Sequence, residues 1–168
     1  MIRYLLLSFA FMLIHCTIFT KSVNADEGSA AGDVPVNCTF SNSVDGQLGI
    51  NQDGTVLSSS SSVDDGAPAS LEIDCSADAT LTISEPVRSG GNGATTFLSD
   101  NLSARATATL VSMDTEESLP DINIESGKPG SNIPGNSLGT IKINMEARHS
   151  EKILPGKYSF TVTITATP

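Results

Sequence analysis

The chain has 168 residues, with nine Lys and Arg against nineteen Asp and Glu and a formal charge of −10. That length accommodates one domain plus a targeting segment. Phosphate backbones are held by clustered cations, so this acidic balance argues against a nucleic-acid partner.

The first element is a targeting segment. Arg3 precedes a nearly unbroken apolar run from Tyr4 to Thr20; Lys21, Val23-Asn24-Ala25 and Asp26-Glu27 follow. A basic start, an apolar middle and small residues at a Val-x-Ala exit predict a signal peptide over residues 1–25, cut after Ala25. The alternative is an uncleaved anchor, but the run is barely long enough to span a bilayer and contains His15. Cys16 follows His15 rather than the small residue a lipidation site expects. Cleavage removes Arg3 and Lys21 and leaves seven basic against nineteen acidic residues, a formal charge of −12. No stable membrane insertion is expected after that cut.

Residues 26–35 read as a short polar extension, and residues 36–168 as the folded domain. Of the three cysteines, Cys38 and Cys75 remain after cleavage. In an oxidising compartment two such cysteines pair. Both lie on the apolar side of their segments, Cys38 with Val36 and Phe40, and Cys75 with Leu71 and Ile73, which fits a bridge crossing or edging the core.

Short strands are expected from there to the end. Gln47–Ile50 and Thr55–Leu57 are brief. Leu71, Ile73 and Cys75 alternate with Ser70, Glu72 and Asp74; Ala79, Leu81 and Ile83 alternate with Thr80, Thr82 and Ser84. Only residues 76–78 separate these runs, so a hairpin is predicted. In Leu102–Val111 the alanines would suit a helix, yet Thr107, Thr109 and the period of two favour a strand. Asp121–Glu125 follows. Then Ile141, Ile143, Met145 and Ala147 share one face, with Thr140, Lys142, Asn144 and Glu146 on the other. After Pro155-Gly156, Tyr158, Phe160, Val162, Ile164 and Ala166 alternate with serine and threonine to the terminus. Loops are expected at Asp53-Gly54, Ser58–Ser62, Gly90–Gly93 and Lys128–Gly135. Many short alternating runs with such punctuation predict an all-β, immunoglobulin-like sandwich with one disulfide.

Little in the chain offers catalysis. Asp64-Asp65 and Glu116-Glu117 are adjacent carboxylates in polar stretches, where solvated turns are the expected role. Asn51-Gln52-Asp53-Gly54 lacks the remaining acidic ligands of a calcium loop. His149 is the single histidine after Ala25, and one imidazole builds no metal site. No cofactor, metal or enzymatic activity is expected. Asn37-Cys38-Thr39 and Asn101-Leu102-Ser103 match glycosylation acceptors.

The terminal segment Leu154-Pro-Gly-Lys-Tyr-Ser-Phe-Thr-Val-Thr-Ile-Thr-Ala-Thr-Pro168, the Cys38 and Cys75 pair, and Gly46, Leu48 and Ile50 between them resemble spore coat U type and related chaperone–usher pilins. The resemblance spans most of residues 36–168. It implies an immunoglobulin-like fold lacking one strand, with a groove beside the last strand. A periplasmic chaperone and then the extension of a neighbouring fibre subunit would fill that groove by strand addition. It further implies that Ile141, Ile143, Met145, Tyr158, Phe160, Val162 and Ile164 line the strand-acceptor face; an ordinary sandwich core is the other reading of these residues. One departure is Asp26–Val36, which is polar and interrupted by Pro35, and so makes a poor donor strand. The chain also ends in Ala166-Thr167-Pro168, without the usual terminal aromatic. The expectation is an exported structural or adhesive surface protein that is pilin-like in assembly, caps a fibre, or stands alone. The alternative is a self-contained secreted binding module for a ligand such as carbohydrate.

Overall fold

The computed structural model describes residues 38–168. The signal peptide expected over 1–25, the extension expected over 26–35 and the acceptor motif at Asn37 lie outside the described residues.

Twelve strands follow in chain order. They are β1 (Cys38–Val44), β2 (Gly49–Ile50), β3 (Val56–Ser58), β4 (Ala69–Cys75), β5 (Ala79–Ile83), β6 (Val87–Gly90), β7 (Leu102–Ser112), β8 (Ile122–Glu125), β9 (Ser131–Ile133), β10 (Ser137–Arg148), β11 (Ser159–Thr161) and β12 (Ile164–Thr167). A 3-10 turn at Ser99–Asn101 leads into β7. All pairings are antiparallel. The all-β sandwich with its disulfide is therefore present.

The first layer is built on β10. One edge of β10 pairs with β4 over Ser137–Ile143 and with β3 over Glu146–Arg148. Its other edge pairs with β7 over Ser137–Ala147. Outward from there lie β1 beside β4, β2 beside β3, and β8 beside β7. The second layer holds β12, β5 and β9 in that order, and the separate pair β11 and β6.

Alternation explains why these residues form strands. β7 buries Ala104, Ala106, Ala108 and Leu110 and turns Arg105 and Thr109 outward. A helix would have spread those residues around its axis, whereas period two gathers them on one face. The core joins Ile73, Leu110, Ile124 and Ile141 to Leu81 and Ile133 of the second layer, each nearly or fully excluded from solvent. The outer face of the first layer is polar. Side-chain hydrogen bonds, each 2.9 Å, run from β7 to β8 at Thr107 and Asn123 and to the residue before β8 at Thr109 and Asp121.

The disulfide joins Cys38 to Cys75, which stand opposite each other in the β1–β4 ladder. It thus edges the core within one sheet and does not cross between layers. Beyond it the ladder slips between Ser41 and Val44, where Asn42 adopts a φ of 48°.

Two expectations change. The hairpin predicted for 70–75 and 79–84 does not form: β4 pairs with β1 and β10, while β5 pairs with β12 and β9. The three-residue link instead carries the chain from one layer to the other. Both runs have one apolar face, and those faces bury more area looking at each other across the core than lying side by side. In addition, β9 arises inside a stretch expected to be loop, and β6 forms where the sequence pattern predicts no strand. Val-Arg-Ser-Gly and Ser-Asn-Ile carry little pattern of their own. They are strands because β11 and β5 offer them ladder partners.

Candidate functional site

The two flanks of the sandwich differ. On one flank the layers meet: β8 and β9 approach, and the Ser131 hydroxyl donates to the Asn123 carbonyl at 3.1 Å. Counting across each layer from that side, the first ends at β1 and β2 and the second at β11 and β12. Among the described residues β1, β2, β11 and β12 each pair on one side only, and this side is termed the open flank.

Apolar side chains are under-covered along it. Tyr158, Phe160, Val162, Ile164 and Ala166 pack against the core yet are only partly buried, while the residues between them are exposed. On the facing edge, Phe40 stands opposite the buried Ile73 and remains 40% exposed. Ile50 of β2 is 44% exposed, and Leu154, before the terminal strand, is 54% exposed. At this end a cleft of about 600 Å³ separates β2–β3 from residues 153–158; its walls include Leu48, Ile50, Leu57 and Tyr158.

The start of the terminal strand is firmly held. Tyr158 Oη donates to the Leu154 carbonyl at 2.8 Å and accepts from the Thr95 amide at 3.1 Å. The Leu154 amide donates to Thr95 Oγ1 at 2.9 Å. Arg88 stacks over the Tyr158 ring at 5.2 Å and donates to the carbonyls of Thr95 at 2.9 Å and Gly93 at 2.6 Å. Gly93 lies against that ring so closely that a Cβ there would overlap it. Phe97 meets Tyr158 and Phe160 edge-on, with centroids 5.8 and 5.7 Å away. These contacts tie residues 154–160 to the segment from Arg88 to Phe97. Tyr158→Phe leaves the Thr95 amide and the Leu154 carbonyl without their partner, so urea denaturation of this variant is expected to show a loss of about 1–3 kcal/mol.

The seven residues expected on an acceptor face divide between the layers. Ile141, Ile143 and Met145 lie on the central strand β10, neighboured on both edges and 0%, 7% and 8% exposed. They form the covered floor of the core. Tyr158, Phe160, Val162 and Ile164 lie on the open edge opposite. Phe40, Leu48, Ile50 and Leu154 complete the open flank, although the resemblance does not place them on the acceptor face. Phe40 and Ile50 do sit at apolar positions of their segments, but nothing local tells an edge strand from a central one.

A scan against protein-family models and a search of curated proteins return no match for this chain.

Other groups fall into ordinary surroundings. Asp65 and Glu116, each from one adjacent carboxylate pair, occupy turns with φ of 62° and 57°. Asp64 and Asp65 are exposed at the rim of the cleft described above. His149 Nδ1 lies 3.1 Å from the Glu151 carbonyl within a turn, and its ring meets Phe97 edge-on. Asn101 ends the 3-10 turn. Among the described residues no group of three or more His, Cys, Asp or Glu is placed to hold a metal ion. No helix among them is long and apolar enough to cross a membrane.

Proposed function

We propose that this chain is an exported, non-enzymatic structural or adhesive surface protein whose open flank receives an extended strand from another polypeptide, in the manner of the pilin-like subunits its sequence resembles. The reading rests on one observation: the apolar row of the terminal strand is half-covered and its outer edge has no ladder partner among the described residues. An unpaired edge with apolar side chains at alternate positions is a template for β-augmentation. Main-chain hydrogen bonds supply affinity, and the row Phe160, Val162, Ile164 accepts alternate side chains of the guest. Completing the burial of each such side chain is worth on the order of 1 kcal/mol. Export is supported by the basic, apolar and small-residue pattern over residues 1–25. It is further supported by the disulfide, because such bonds persist in oxidising compartments.

The test is thermal melting of the exported chain with a synthetic strand that alternates Val or Ile with Thr. A guest that binds only the folded state stabilises it by about 2.7 kcal/mol at a hundredfold excess over its Kd. The melting midpoint is expected to rise by several degrees and to keep rising with peptide concentration. A midpoint that ignores every alternating peptide, in a chain that stays monomeric, would remove the proposal.

A further inference from the structure

The open flank is not chemically uniform. Its greasy row ends, near Tyr158, in a cleft whose walls are Leu48, Ile50, Leu57 and Leu154 and whose rim carries Asp64 and Asp65. No Lys or Arg is among the residues lining that cleft; the nearby Arg88 stacks on the Tyr158 ring, and its guanidinium already donates to the Thr95 and Gly93 carbonyls. The backbone of the loop that carries Asp64 and Asp65 packs closely on β2: the Asp64 carbonyl lies against Gly49 so tightly that any Cβ at that position would overlap it. Gly66 is packed against the Ser60 carbonyl in the same way, which pins the far side of the loop. A guest strand running along the terminal edge therefore meets an apolar slot with two negative charges at its mouth. An apolar stem carrying a cation satisfies both features, since Lys and Arg bury their methylenes and keep the charge at the rim.

The chain's own extension is the wrong guest. Residues 26–36 contain Asp26, Glu27 and Asp33 and no Lys or Arg. Like charges brought together at an interface are disfavoured, and charge patterning selects partners in this way.

We propose that the guest strand is basic at the end reaching this cleft, and that it belongs to a different protein, not to the 26–36 segment of a second copy. This inference rests on the strand-receiving reading above and adds the chemistry of the partner.

The experiment uses the exported chain and two labelled peptides with the same alternating Val/Thr body, one ending in lysines and the other in glutamates at both termini. Affinities are read by fluorescence anisotropy. At low salt the lysine peptide is expected to bind about tenfold more tightly. Most of that preference should vanish at about 0.5 M salt, where the screening length is only a few ångströms. It should also vanish in the D64N/D65N variant, in which Asn keeps the left-handed backbone that Asp65 adopts. A peptide copying residues 26–36 should bind no better than the glutamate peptide. Equal binding of the two designed peptides overturns the inference and leaves strand acceptance standing, as does a preference that survives in D64N/D65N. Tight binding of the 26–36 peptide overturns it too. If neither designed peptide binds, strand acceptance itself fails and takes this inference with it.

Discussion

Replacing Cys38 and Cys75 together by Ala is expected to cost about 4 kcal/mol. The bond closes a separation of 37 residues, and restricting a loop of that length in the unfolded chain is worth about that much in the chain-entropy model. Domains of this size have only about 5–15 kcal/mol in total, so the variant should sit near the edge of folding. The position of the bridge adds a local effect. β1 pairs only with β4 and holds no second neighbour among the described residues, so the disulfide clamps an edge strand in register. Reduction should therefore loosen β1 before the core melts. Urea unfolding with and without reductant checks the first expectation, and hydrogen exchange at β1 and β4 checks the second. Identical urea midpoints for the oxidised and reduced chains would show that the bridge contributes no stability.

Ile141→Ala and Ile164→Ala form the second test, because the two isoleucines look alike in sequence and stand on opposite sides of the functional argument. Ile141 lies on the central strand with no exposure to solvent, and truncating it leaves a cavity walled by both layers. The expected loss is about 2–5 kcal/mol, with or without a guest peptide. Ile164 is half-covered on the open edge, so its truncation should cost the isolated chain only about 1 kcal/mol. A bound strand would complete its burial, and the same truncation should then weaken peptide binding severalfold. Denaturation curves of both variants, measured alone and with a saturating alternating peptide, separate the cases. If Ile164→Ala proves as damaging as Ile141→Ala in the isolated chain and leaves peptide affinity unchanged, the open edge is an ordinary part of the core.

That pair also marks how far the site was legible. Period-two alternation shows that Ile141, Ile143 and Met145 have a dry face and that Tyr158, Phe160, Val162 and Ile164 have one as well. It carries no information about how many strands cover each face. The resemblance implies one acceptor face for both groups, and the alternation fits an ordinary sandwich core equally well. The fold puts the first at the centre of one layer and the second at the rim of the other.

What the amino-acid order determined by itself was local. It set the strand-forming character of most segments, the inward aspect of Cys38 and Cys75, and the turn at Pro155-Gly156, because side-chain period and turn chemistry are properties of a few adjacent residues. Only the tertiary structure decided that β4 and β5 part into different layers, that Val87–Gly90 and Ser131–Ile133 become strands, and that β1 and β12 face each other across an open flank. Those outcomes depend on which distant segment supplies the ladder partner and which apolar faces bury the most area together. Both are settled by contacts between residues far apart in the chain, which no local pattern encodes.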